Sequence, residues 1–137
     1  MAELVLIEDD EDDIYFFKEA CSQLKQNISI TVLGNGWEFI DYVENNSIKN
    51  KVFLLDLNMP KLGGLEALSK LQNNPKLSQM VIVTYTTSSR DKDIKDAYKL
   101  GVKSYLLKPN SMTEIKHMVE AVSQYWFTIN SYTEEAY

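Results

Sequence analysis

Short apolar runs and longer amphipathic stretches alternate from one end of the chain to the other. Leu4-Val5-Leu6-Ile7, Val52-Phe53-Leu54-Leu55, Met80-Val81-Ile82-Val83 and Tyr105-Leu106-Leu107 are nearly unbroken in apolar character. Runs of this length and composition read as strands buried on both faces. The pattern predicts strands near 3–8, 28–33, 51–56, 80–86 and 104–107. Helices are expected near 11–26, 36–47, 64–73, 90–100 and 111–130. Strongly apolar strands separated by helices imply right-handed βαβ crossovers. The fold class is therefore α/β, a five-stranded parallel sheet, doubly wound, with helices on both faces.

Turn residues support these breaks. Gly34-Asn35-Gly36 parts the second strand from its helix, and Pro60 with Gly63-Gly64 parts the third. Gly101 after Ala97-Tyr98-Lys99-Leu100 suits a left-handed helix end. Asn110-Ser111 can cap the last helix, with Glu114 three residues beyond Ser111 as in a capping box. In that helix Ile115, Met118, Val119, Val122, Trp126 and Ile129 recur at helical spacing and should face the sheet. Residues 133–137 read as a short frayed tail.

Composition narrows the functional classes. A chain of 137 residues fits one domain with a single sizeable core. The net charge of −6 argues against nucleic acid or anionic membrane as a partner. The lone Cys21 allows no intramolecular disulfide and no cysteine metal cluster, and in its helical context it reads as a packed residue. The N-terminus lacks the pattern of a signal peptide, and no run approaches transmembrane length, so a cytoplasmic location is expected. His117, the one histidine, reads as a surface residue of the last helix.

The chemistry sits where the apolar runs end. Glu8-Asp9-Asp10 follows the first, Asp56 the third, Thr86 closes the fourth and Lys108 the fifth. In an open parallel sheet, ligands bind at the carboxyl ends of the strands. Crowded carboxylates such as Glu8 and Asp9 call for a compensating cation, and oxygen donors suit Mg²⁺. Glu11, Asp12 and Asp13 read instead as a solvated helix start favoured by the helix dipole. Asp56 at the rim of the core is costly unless paired. A carboxylate so placed can attack phosphorus and become an acyl phosphate. It is no helix cap, because Leu57-Asn58-Met59-Pro60 intervenes. Lys108 can reach a phosphoryl oxygen as a point charge, and Thr86 can donate to another.

These motifs resemble the receiver domains of two-component response regulators. The resemblance rests on Leu4-Val-Leu-Ile-Glu-Asp-Asp, Leu55-Asp-Leu-Asn-Met-Pro with Gly64, Thr86-Thr-Ser-Ser and Ser104-Tyr-Leu-Leu-Lys-Pro, and it spans Leu4 to about Trp126. It implies a flavodoxin-like (βα)5 three-layer sandwich, with a receiver over 1–132 and no output domain. Asp56 would accept a phosphoryl group from a sensor histidine kinase or histidine phosphotransfer protein. Asp9 would bind Mg²⁺ directly, Glu8 through water, and the Asn58 backbone carbonyl would be a further ligand. Lys108 would pair with the aspartyl phosphate. Thr86 and Tyr105 would form the switch, the ring swinging from exposed to buried. The domain would be a self-catalysing phosphoacceptor rather than a metabolic enzyme, signalling through a downstream protein. The resemblance extends to short receivers that partner bacteriophytochrome-type kinases.

Gly63 stands where many members carry Asp, which should loosen its loop. Tyr85 is bulkier than usual before Thr86, and the branched Thr87 could restrict small phosphodonors. The main alternative is an aspartate-nucleophile phosphatase of the haloacid-dehalogenase type. Such enzymes place an Asp two residues after the nucleophile, where this chain has Asn58, and their nucleophile follows the first strand. A flavodoxin-like electron carrier is disfavoured because no phosphate-cradling loop follows the first strand. Tyr125, Trp126, Phe127, Tyr132 and Tyr137 exceed what core packing needs, so the last helix suggests a homodimer or partner surface.

Overall fold

The computed structural model describes residues 1–132, so the expected tail and Tyr137 lie outside the described residues. Five strands form, β1 (Ala2–Ile7), β2 (Ile28–Leu33), β3 (Lys51–Leu55), β4 (Val81–Thr86) and β5 (Ser104–Leu107). They alternate with α1 (Glu11–Cys21), α2 (Gly36–Asn45), α3 (Gly64–Lys70), α4 (Asp91–Lys99) and α5 (Met112–Gln124). The strands pair in parallel in the order β2-β1-β3-β4-β5. That order changes direction between β1 and β3, which opens a crevice at their carboxyl ends.

Each face of the sheet carries its own core. Val5, Ile7, Phe53, Leu55 and Ile82 pack with Phe39 and Val43 of α2 and Ala67 and Leu68 of α3. Leu4, Leu6, Leu54, Val83 and Tyr85 pack on the other side with Phe17 of α1 and Ile115, Val119 and Val122 of α5. Alternate residues of one strand thus enter opposite cores, which is why β1 and β3 read as unbroken apolar runs. Cys21 packs against the second core, and burial pushes its thiol up to about 12. This agrees with a packing role.

Helix ends follow local chemistry. Asp10 caps α1 by accepting from the Asp13 amide at 3.0 Å, and Ser111 caps α5 by accepting from the Glu114 amide at 3.2 Å. At the end of α4, Gly101 has φ +112°. The Gly101 amide donates to Tyr98 O and the Val102 amide to Ala97 O, the paired bonds of a Schellman ending. Every helix stops short of its expected end, and α1 and α5 fall shortest. The α1 helix ends at Cys21 rather than 26, because Gln23 and Leu24 fall back on three-residue bonds to Ala20 and Cys21. The α5 helix gives way at Gln124 to a π turn over Tyr125–Ile129, closed by the Asn130 amide on Tyr125 O at 2.7 Å. The wider turn rotates Ile129 off the apolar stripe, and it is 61% exposed rather than facing the sheet.

Candidate functional site

Three candidate residues stand one position beyond a strand, and the ladder continues far enough to fix each backbone. The Glu8 amide donates to Leu33 O at 2.9 Å, the Asp56 amide to Ile7 O at 3.1 Å, and the Lys108 amide to Thr86 O at 2.8 Å. Apolar residues just before them anchor the strands, so the polar side chains emerge at one rim. The loop after Asp56 packs tightly on α3. A Cβ at Gly64 would lie 2.5 Å from Asp56 O, and one at Gly63 would lie 2.9 Å from Leu57 O. Glycine at 63 therefore permits close approach rather than loosening the loop.

Lys108 is the hub. Its Nζ lies 2.6 Å from Glu8 Oε1, 2.7 Å from Asp13 Oδ2 and 3.4 Å from Asp56 Oδ2. It also sits 5.7 Å from the Tyr85 ring centroid, and Tyr85 is wedged edge-on against Phe17. Burial alone would lower the lysine's pKa, but Asp13, Glu8 and Asp56 together push it above its ordinary range. Lys108 is charged.

Glu8 shows the strain in this balance. It is 1% exposed; its Oε2 accepts from the Asp9 and Asp10 amides at 3.1 and 3.2 Å. Its Oε1 is buried beside Lys108, yet no donor meets it with hydrogen-bond geometry. Burial pushes the Glu8 carboxyl up to about 7, with Lys108 opposing the rise and Asp56 adding to it. Among the described residues, Glu8, Asp9 and Asp56 offer oxygens that all lie within 4.8 Å of one another. An all-oxygen trio of carboxylates that shares one lysine's positive charge fits a hard divalent ion.

Thr86 is fully buried on the strand beside β3; register pairs Leu55 with Thr84, two positions before it. Its hydroxyl accepts from the Ser88 amide at 3.4 Å. Tyr105 is half-buried, and its hydroxyl donates to Ser88 O at 2.8 Å. The ring is already tied to the β4–α4 loop. That loop is clasped further: the Ser88 hydroxyl donates to Asp93 Oδ2 at 2.5 Å, and Arg90 binds both Asp93 oxygens. Ser88 and then Arg90 hold the Asp93 carboxyl below its usual range despite desolvation. Asn58 lies in the loop after Asp56, its amide donating to Asp56 Oδ1 at 3.4 Å. His117 is exposed on α5.

The principal correction concerns Asp13. It reads from sequence as a solvated helix-start residue, but its carboxylate is a direct partner of Lys108. An acidic residue in a first helical turn is favoured by the dipole in any case, so its type carried no signal. Its place in the turn directly after Asp9 and Asp10 was the available clue. Tyr85 under Lys108 and the Ser88–Arg90–Asp93 clasp were likewise not read from sequence.

Comparisons with known proteins agree with this geometry. A model of the response regulator receiver domain matches residues 4–120. The chain is 33% identical over 132 residues to the probable methanogenesis regulatory protein FilR2 of Methanothrix harundinacea, covering 93% of this chain and 84% of FilR2. It is 28% identical over 128 residues to the response regulator Rcp1 of Synechocystis sp., covering 90% and 87%. The Mn²⁺-bound form of Rcp1 superposes with a TM-score of 0.81 at 25% identity, over 97% of this chain and 99% of Rcp1. The phosphorylated cyanobacterial phytochrome response regulator RcpA gives a TM-score of 0.83 at 25% identity, over 95% and 96%. Neither the phosphatase nor the electron-carrier alternative finds support in these matches. The chain belongs to the response-regulator receiver domain family.

Proposed function

We propose that Asp56 accepts a phosphoryl group from a phosphohistidine on a sensor kinase or phosphotransfer protein, and that the altered domain signals to a downstream protein. The observation that carries this reading is the convergence of Lys108, 3.4 Å from Asp56, with the Glu8–Asp9–Asp56 trio at one sheet edge. An Asp56 oxygen attacks phosphorus. The O–P bond forms as the P–N bond to the donor imidazole breaks, and the imidazole keeps the electron pair and takes up a proton.

Glu8, Asp9, Asp56 and the Asn58 carbonyl would hold Mg²⁺, which supplies charge neutralisation when bound. Lys108 offers its point charge to one equatorial oxygen, and the Thr86 hydroxyl is the donor for another. Drawing Thr86 toward the phosphoryl group breaks its hold on the Ser88 amide. Tyr105 bears on the same residue through the Ser88 carbonyl, so the β4–α4 loop is the element biased. The negative net charge supports a protein target over nucleic acid or membrane, and a kinase donor implies action in the cytoplasm. Among the described residues no helix is long and apolar enough to cross a membrane.

Exposed Tyr125, Ile129 and Tyr132 support a protein contact at the C-terminal end, two copies of the chain being the simplest case. Light scattering over a concentration series tests that pairing, and a monomer throughout contradicts it. The acceptor role is tested with acetyl phosphate and Mg²⁺: wild type takes label and Asp56→Asn takes none. Undiminished labelling of the variant moves the acceptor elsewhere.

A further inference from the structure

Three carboxylates surround the Lys108 ammonium, and they are not equivalent. Glu8 and Asp56 belong to the trio whose oxygens can hold a divalent ion, whereas Asp13 does not. Glu8 makes the shortest contact with Nζ at 2.6 Å, Asp13 matches it closely at 2.7 Å, and Asp56 stands off at 3.4 Å. It comes from a different element, the first turn of α1, where its amide is fixed on the Asp10 side chain at 3.0 Å. Lys108 is fixed at its backbone by the bond to Thr86 O, so only its side chain is free to redistribute.

We infer that Asp13 is a positioning residue of the phosphoryl site: it draws the Lys108 ammonium toward α1 and off Asp56, and so frees that carboxylate to ligate the cation. This rests on the proposed function of the same site. With Glu8 and Asp56 engaged in metal ligation, a second positive charge at the same oxygens is unfavourable, and the ammonium needs another anion. Asp13 is that anion in the resting state. Once Asp56 carries a phosphoryl group, the ammonium has a stronger acceptor beside it and swings from Asp13 to an equatorial oxygen. Tyr85, 5.7 Å away by its ring centroid, offers an aromatic face to the cation.

The test is a double-mutant cycle read by Mg²⁺ affinity from NMR titration of the full chain. Asp13→Asn should weaken Mg²⁺ binding about fivefold, because Lys108 then competes for the ligand oxygens. Asp13→Glu, which keeps the charge, should restore affinity to within about twofold. In a Lys108→Ala background, Asp13→Asn should change affinity less than about twofold, since its only route to the metal is gone. The side-chain ammonium resonance of Lys108 should shift in Asp13→Asn and stay in place in Asp13→Glu. An equal loss in both backgrounds would show Asp13 acting as a mere distant charge, and no loss in either would leave it without a role; both overturn the inference. Acetyl phosphate labelling of wild type, run alongside, separates the two readings. A labelled wild type with an additive cycle removes the inference alone, whereas an unlabelled wild type removes the acceptor role of Asp56 and the inference with it.

Discussion

At the amino end of the sheet Lys51 meets Glu3, and at the carboxyl end Lys108 meets Glu8. The first pair is 3.4 Å apart and part of a closed network. Glu3 accepts from the Thr31 hydroxyl, and from the Tyr42 hydroxyl at 2.9 Å, while Lys51 donates to the Tyr42 oxygen at 2.7 Å. One acid faces one base, and every polar atom has a partner. Burial alone would raise the Glu3 carboxyl, but Thr31, Tyr42 and Lys51 together hold it below its ordinary value. At the other edge one lysine serves Glu8, Asp13 and Asp56, and Glu8 is driven the opposite way, to about 7. Similar residues close the fold at one end and leave it short of positive charge at the other. The shortage is the feature a cation and a phosphoryl group can use.

The comparison is sharpened most by exchanging lysines. Lys108→Ala should leave Mg²⁺ bound yet abolish the phosphorylation-driven NMR shifts around Thr86 and Tyr105. Lys51→Met should leave those shifts at full size. Equal shifts in the two variants would erase the distinction between the edges.

Stability should divide the same way. Glu3→Gln weakens a satisfied network and should cost about 2 kcal/mol in urea unfolding. Asp56→Asn removes an acid from a crowded rim and should stabilise the metal-free protein by about 1 kcal/mol. A loss of stability in Asp56→Asn would mean that the carboxyl-end cluster is as well compensated as the amino-end one.

The two edges also differ in their response to pH. Glu8 titrates near 7 in the folded state against an ordinary value of 4.5, so the folded protein binds more protons across that interval. Its contribution is full below 4.5 and is lost as pH rises through 7, which makes metal-free stability fall over that range. Glu3, held low when folded, has the opposite sign, its contribution being lost on acidification below its ordinary 4.5. Thermal melts of Glu8→Gln should lose the fall between 4.5 and 7, while Glu3→Gln should lose the acid-side decline. Identical pH profiles for the two variants would contradict the opposed assignments.

The sheet was legible because β1, β3 and β4 lie between two helical layers and carry little polar interruption. Glu8, Asp56 and Lys108 were legible for the complementary reason, since a charged residue straight after such a strand must stand at the rim. Asp13 was not, because the helix dipole explains an acid in a first turn without any partner. Tyr85 reads from sequence as an unusually bulky residue before Thr86, and its contact with Lys108 exists only in three dimensions. Ile129 has the correct helical spacing for the stripe, but spacing cannot announce the π turn that rotates it out. The site's donors were visible one by one; the sharing of a single lysine among three acids was not.

Peptide mapping of the Mg²⁺-loaded protein after incubation with acetyl phosphate bears most directly on Asp56 as the acceptor. A single phosphoryl group on the peptide that carries Asp56 is the expected result. No added group, or one found on any other residue, would contradict it.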